Sequence, residues 1–224
     1  MISGCYRIRC DTPGRNDQYM TNQPPSHRRA TLTRAALISA PLCMLVYGAV
    51  RLGDPDHGPG LAWTTGHLFL LAGVLQFALI LPALHRMTGP ARGAARLGAG
   101  AATLLGLAGT LAVAAQATID LVVGFRSADR PEMTRLFEEI QSHPGVLPAV
   151  YTVGPTLFYV GLLWLLVHLA VQRRVSPWRP VMVVLGTATS AVSLDLLPLG
   201  ALFFTAALLP RALPLTAPRA QRLG

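Results

Sequence analysis

Residues 97–125 read LGAGAATLLGLAGTLAVAAQATIDLVVGF, and this stretch decides the class of fold. An α-helix rises about 1.5 Å per residue, so about 20 apolar residues cross the hydrocarbon core of a bilayer. The stretch is longer than that and holds one charged residue, Asp120, so it predicts a transmembrane helix that tilts or protrudes. Ala102 and Gly106 are small residues four positions apart, which predicts close packing against another helix.

The composition of the whole chain agrees with a membrane protein. The chain has 224 residues, of which 52% are hydrophobic and 13% are charged, whereas soluble domains have about 25% charged residues. The mean hydropathy is +0.45. So few charges cannot cover a soluble globule, and the composition also excludes a disordered protein, a collagen and a disulfide scaffold.

Five apolar stretches give six predicted transmembrane helices. The last stretch is too long for one span and predicts a tight helical hairpin that turns near Asp195 and Pro198. The alternative is one full span with a re-entrant segment. The sequence therefore predicts an all-α, polytopic membrane bundle of six helices over residues 32–213. The five stretches are 33–51, 61–84, 97–125, 145–171 and 180–213.

The basic residues predict the orientation of this bundle. All 19 are arginines. If the N-terminus is inside, the outer loops hold only Arg51, Arg126, Arg130 and Arg135, and the other 15 lie on the inner side. Cytoplasmic loops carry such an excess, so we expect both termini in the cytoplasm and the protein in the plasma membrane. The arginines form no single stripe, so the bilayer, and no nucleic acid, is the expected partner.

Both ends of the chain are polar. Residues 1–31 predict a disordered cytoplasmic tail, and residues 214–224 predict a second cytoplasmic tail. Met20 precedes a more ordinary beginning than Met1 does, and we hypothesise that translation starts at Met20.

A short amphipathic helix is predicted at about 129–141, in the longest outer loop. Asp129 and Glu132 have the spacing of a capping box, with proline in the first turn. The apolar residues that follow recur on one helical face, and charged residues at ion-pair spacing lie opposite. The apolar residues are Met133, Leu136, Phe137 and Ile140, and the charged ones are Glu132, Arg135 and Glu139.

Five polar residues lie within or beside the predicted spans, where ionisable groups are costly and mark candidate sites. His67 and Asp120 are both about one and a half turns from the outer ends of their spans, so they are expected at one depth. The sequence leaves three roles open: a hydrogen bond that joins helices, a ligand, proton or ion site, and catalysis. The five candidates are His67, Gln116, Asp120, Tyr151 and Asp195.

No cofactor or metal site is predicted. His67 and His85 share a helix face, but they are about 27 Å apart along the axis and cannot ligate one iron. The sequence contains no phosphate loop, no Gly-x-Ser-x-Gly, no His-Glu-x-x-His and no Cys-x-x-Cys. We therefore expect a non-enzymatic structural, sensory or accessory membrane protein. The alternatives are a small-solute or proton-coupled transporter that uses Asp120 and His67, and an intramembrane enzyme.

Three stretches carry a family resemblance: QATIDLVVGF at 116–125, Gly154-Pro155 with the apolar run that ends in RRVSPWR at 173–179, and LLPLGAL at 196–202. Through them, the chain resembles the uncharacterised six-span membrane proteins that are common in actinobacteria, over residues 33–213. The resemblance implies a six-helix membrane fold. It implies no activity, cofactor or site residue.

Overall fold

The computed structural model describes residues 25–89 and 93–209. Within these ranges the chain forms helices and turns and no strand, so the all-α prediction is confirmed. The predictions for residues 1–24, including the start at Met20, lie outside the described residues. Those for the loop residue Arg92 and for the tail at 214–224 also lie outside them.

Seven α-helices follow one another along the described chain, with a π-helical segment and a short 3₁₀ turn between them. Four helical segments are long and apolar enough to cross a membrane, which is the character of an integral membrane protein: α1, α2, α3, and the π-helix together with α5. The elements are α1 (Pro25–Gly53), α2 (Leu61–Met87), α3 (Ala94–Arg126), α4 (Arg130–Ser142), the π-helix (Leu147–Val153), α5 (Gly154–Val171), α6 (Trp178–Val192), the 3₁₀ turn (Leu194–Leu196) and α7 (Leu197–Leu208).

Helix α1 begins at Pro25, inside the segment that the sequence predicts to be a disordered tail. That prediction is wrong for residues 25–31. Proline is favoured in the first turn of a helix, and residues 26–34 contain neither Gly nor Pro. The helix therefore continues beyond the apolar stretch on which the prediction was based.

Six of the helices form a closed ring. In chain order, α1 packs on α2, α2 on α3, α3 on α5, α5 on α6 and α6 on α7, and α7 returns to pack on α1. Two aromatic rings meet edge to face at the centre of the ring, Phe77 of α2 and Phe158 of α5, with centroids 4.8 Å apart. The last helix thus closes the bundle against the first.

The small residues of α3 allow its backbone to approach that of α5 closely. A Cβ atom added at Gly161 would lie 2.6 Å from the carbonyl oxygen of Ala102 and 2.5 Å from Cα of Gly106. No side chain larger than hydrogen fits between these backbones. The close packing predicted from Ala102 and Gly106 is confirmed.

The fourth apolar segment starts as a π-helix instead of the regular helix that its apolar pattern predicts. Pro155 has no amide hydrogen, and its ring would clash with the carbonyl of Tyr151 in an α-helix. Widening the preceding turn to the π form removes that clash. Proline thus causes the irregular turn that carries Tyr151.

Helices α6 and α7 form an antiparallel hairpin whose turn lies at Leu194–Leu196, where Asp195 and Pro198 predict it. Helix α6 has 15 residues, which gives it a length of about 22 Å, so the hairpin is shorter than the other pairs. At its base the fully buried Arg179 donates hydrogen bonds to the carbonyl oxygens of Ala207 (2.6 Å) and Leu209 (3.1 Å). A guanidinium at the C-terminal end of α7 satisfies carbonyls that lack helical partners and opposes the helix dipole.

Helix α4 forms as predicted, one residue later than expected. Asp129 accepts a hydrogen bond from the amide of Glu132, and the Glu132 carboxylate accepts one from the amide of Ala128. Met133 is buried, and Arg130 donates to the carbonyl of Asp56 in the α1–α2 loop. Helix α4 is therefore fastened across one end of the bundle, which we call the α4 end. The opposite end, where Arg179 lies, is the Arg179 end.

Candidate functional site

His67 of α2 and Asp120 of α3 face each other inside the bundle at the α4 end. Nε2 of His67 lies 3.5 Å from Oδ2 of Asp120. The residues are only 4% and 7% exposed, although both are ionisable. The two helices are antiparallel neighbours, so equal distances from the ends of their spans bring the side chains together.

The protonation of His67 follows from its hydrogen bonds. Its Nδ1 lies 2.8 Å from the carbonyl oxygen of Trp63, which can only accept, so Nδ1 carries a hydrogen. In a neutral imidazole, Nε2 would then be an acceptor and would face a carboxylate, which is also an acceptor. One proton between the two groups, carried either by Nε2 or by the carboxyl, makes this contact favourable.

The imidazole is held between two aromatic side chains. The Trp63 ring lies against it with centroids 4.1 Å apart, and Tyr47 of α1 meets it edge-on at 5.2 Å. The Trp63 indole also donates a hydrogen bond of 2.8 Å to the backbone carbonyl of Asp120. Gly124, one turn further along α3, leaves room for the indole. Two ring contacts, together with the Nδ1 bond to the Trp63 carbonyl, therefore hold the imidazole that faces the carboxylate.

A small cleft between α1 and α2 reaches His67 from the α4 end. Its volume is about 20 Å³, which is enough for one water molecule and too little for an organic solute. Asp120 does not line it, so His67 is the member of the pair that the cleft reaches. The lining residues are Tyr47, Val50, Arg51, Asp54, His57, Ala62, Trp63, Gly66 and His67.

Asp195 is linked to this cleft through Arg51. Its Oδ1 lies 3.3 Å from Nε of Arg51, at the C-terminal end of α1. The Asp195 side chain is 57% exposed and that of Arg51 is 23% exposed. The ion pair ties the turn of the hairpin to the rim of the cleft and does not reach the buried pair.

The other two candidates are near Asp120 but do not bond to it. Tyr151 lies in the π-helix, which packs on α3. Its hydroxyl oxygen is buried beside Gln141 of α4 without a hydrogen bond of standard geometry. Gln116 is half-buried, one turn from Asp120 on α3. Of the five predicted residues, the structure joins His67 with Asp120 directly and brings Asp195 to the neighbouring cleft.

Sequence reasoning missed four residues of this site: Trp63, Tyr47, Arg51 and His57. Trp63 precedes His67 by four positions, a spacing that places both on one helix face, so its contact could have been found. The other three belong to α1 and its following loop. Their place depends on which helix neighbours α2, and the sequence carries no signal for that.

The chain matches no family model, no curated protein and no solved structure. The resemblance to six-span actinobacterial proteins therefore stays a prediction. Within the described ranges, no group of three or more His, Cys, Asp or Glu side chains is placed to hold a metal ion. The buried pair and its cleft are therefore the features of the chain that bear on its function.

Proposed function

We propose that this chain is a six-span protein of the plasma membrane with both termini in the cytoplasm and a non-enzymatic structural, sensory or accessory role. The α4 end is then the outer end. The distribution of arginines supports this orientation. The antiparallel hairpin of α6 and α7, which seals the ring of helices, supports the count of six.

The burial of the His67–Asp120 pair away from any larger cavity carries this proposal. Both side chains are buried, and the indole of Trp63 covers the imidazole. A transporter needs room for its solute at the polar site, and the adjoining cleft holds no more than a water molecule or so. The pair joins α2 to α3, as interhelical hydrogen bonds commonly do in membranes.

Labelling with a membrane-impermeant maleimide in intact cells tests two things together: the topology, and whether water reaches the interior of the bundle. Single cysteines replace Ser142, Leu194, Ser176 and Gln116 in a background without the native cysteines. Six spans require labelling at 142 and 194 and none at 176 until the cells are permeabilised. Protection at 194 with labelling at 142 would leave four spans. Labelling at 176 alone would invert the orientation.

Position 116 reports on the interior without disturbing the pair. A closed bundle leaves Gln116→Cys unlabelled before and after permeabilisation. Labelling at 116 from outside would show an aqueous cavity and would reject the accessory role in favour of transport.

A proton-coupled transporter is the second candidate, because the geometry of the pair suits one proton shared between an imidazole and a carboxyl. Buried carboxylate and imidazole groups that share a proton are typical of proton relays in membranes. An acid jump outside proteoliposomes loaded with a pH dye tests this activity. Uptake of protons that His67→Gln abolishes would place this candidate first.

A further inference from the structure

We propose that the His67–Asp120 pair exchanges its proton with water at the α4 end of the bundle, through the α1–α2 cleft and by way of His57. This inference deepens the proton-binding role of the second candidate. It does not depend on the number of spans, because the cleft, His57 and the pair all lie at one end of the bundle.

The conformation and hydrogen bonding of His57 suit it to relay a proton at the cleft. It adopts the left-handed backbone conformation with φ 47°, which side chains other than glycine rarely adopt. Its Nδ1 lies 2.9 Å from the carbonyl oxygen of Pro55, so Nδ1 carries a hydrogen. Its Nε2 is buried and has no hydrogen-bond partner among the described residues. A buried acceptor on the wall of a cleft with room for water is a site where a water molecule donates.

The transfer requires His67 to turn. Its Nδ1 bonds to the Trp63 carbonyl, and its Nε2 faces Oδ2 of Asp120 at 3.5 Å, so neither ring nitrogen points freely into the cleft. Rotation about the Cβ–Cγ bond releases the bond to Trp63 and brings a nitrogen to the cleft. There the imidazolium gives its proton to a water, and the water passes a proton to Nε2 of His57. His57, which then carries a hydrogen on both ring nitrogens, releases one proton to the water outside the α4 end. One proton has left the pair, His67 is neutral, Asp120 stays as carboxylate, and the reverse sequence restores the proton.

The charged groups around the cleft permit this exchange. Arg51 opposes a proton in the cleft, but its guanidinium is paired with Asp195, and Asp54 contributes a carboxylate to the lining. From α4, Arg130 donates to the carbonyl of Asp56, next to His57 in the loop, and the π-helix contributes the phenol of Tyr151. The titratable and charged groups that face the cleft and the pair are Tyr47 and Arg51 from α1, Asp54 and His57 from the loop, Asp120 from α3, Tyr151 from the π-helix and Asp195 from the hairpin turn.

Trp63 provides a reporter for the test. Its ring lies against the His67 ring, so a charge on the imidazole changes its fluorescence through a cation–π contact. Replacing Trp164 and Trp178 with Phe leaves Trp63 as the one tryptophan. The full chain in nanodiscs is then titrated between about pH 5 and about pH 9, which brackets ordinary imidazole titration.

We expect one fluorescence step in this background. His67→Gln removes the step, and Asp120→Asn displaces its midpoint by about one pH unit or more, because a charged neighbour has been lost. His85→Gln is the matched control, since His85 joins the same two helices at the Arg179 end, and it leaves the step unchanged. The absence of any step, or the same midpoint in Asp120→Asn, would overturn the proposal of an exchangeable shared proton.

The route is tested by the rate of the step after a pH jump. His57→Gln keeps a side chain of similar polarity but cannot relay a proton, and we expect it to slow the step at least about tenfold. The equilibrium midpoint should hardly change. An unchanged rate would overturn the role of His57. A step that vanishes in His57→Gln would identify His57 as the titrating group and overturn the assignment to the pair.

Discussion

Helices α2 and α3 are joined by a histidine near each end. We call these two interhelical contacts the joints, and they differ in the group that faces the histidine. At the α4 end His67 faces the carboxylate of Asp120 at 3.5 Å. At the Arg179 end His85 lies 3.1 Å from the hydroxyl of Thr103. His67 and His85 are 18 positions apart, which is about five helical turns, so both lie on the face that meets α3.

The residue that faces each histidine decides whether the contact needs an extra proton. The Thr103 hydroxyl donates to the carbonyl of Ala99 at 2.7 Å, so its oxygen is free to accept from Nδ1 of His85. That joint is complete with a neutral imidazole. Because Asp120 cannot donate when ionised, the other joint is complete only with an extra proton. One helix pair thus combines a fixed link at one end with a proton-dependent link at the other.

The largest effect is expected from comparing His67→Ala with His85→Ala. Without His67, the carboxyl of Asp120 is left buried without a partner beside a cavity, and we expect a loss of about 3 kcal/mol of stability. Without His85, Thr103 keeps its bond to Ala99, so the loss stays below about 1 kcal/mol. Unfolding in mixed micelles measures both. Equal losses would show that the two histidines contribute equally to the free energy of unfolding.

The sequence predicts a good part of this arrangement. Depth alone predicted that His67 and Asp120 lie at one level, because both are a similar number of residues from the outer ends of their spans. That the two side chains face each other is seen only in the folded chain. The capping residue Asp129 and the apolar period after it predicted α4 to within a residue. Local rules suffice in these cases, since helix rise and capping depend on neighbours along the chain.

Other parts depend on contacts that no local rule contains. Arg179 was counted among the arginines of an inner loop, yet it is fully buried against the end of α7, 28 residues away from Ala207. His57 and Arg51 reach the cleft only because α1 lies beside α2. The prediction of the hairpin rested on length, and its closure against α1 appears only in the folded chain.

Gly124→Ala should disturb the α4-end joint without touching either of its ionisable groups. A Cβ there would lie 2.6 Å from the indole Nε1 of Trp63, so the indole must move and lose its bond to the Asp120 carbonyl. We expect a loss of about 2 kcal/mol from this overpacking. Gly100→Ala is the control on the same helix, because nothing lies within 4 Å of its added Cβ. A neutral Gly124→Ala would mean that Trp63 does not hold the joint.

Asp120→Asn should make the two joints alike. An amide can donate to Nε2 of His67 with no extra proton, so this contact, like that of His85 with Thr103, would need only a neutral imidazole. We expect stability within about 0.5 kcal/mol of the parent chain, whereas Asp120→Ala loses about 1 kcal/mol, as is usual for an interhelical hydrogen bond in a membrane. Melting in detergent compares the two. If both variants melt like the parent chain, the Asp120 side chain contributes nothing to helix packing.

The smallest effect is expected at the rim, where Asp195 meets Arg51. With the Asp195 side chain 57% exposed, solvent and salt screen the ion pair. Asp195→Ala should therefore cost less than about 0.5 kcal/mol, and high salt should remove even that difference. The informative comparison is with the buried pair, since high salt should leave the difference between His67→Ala and the parent chain in place. A salt-sensitive loss at His67 would show that water reaches the joint freely, and the α4 end would then be an open site and not a closed one.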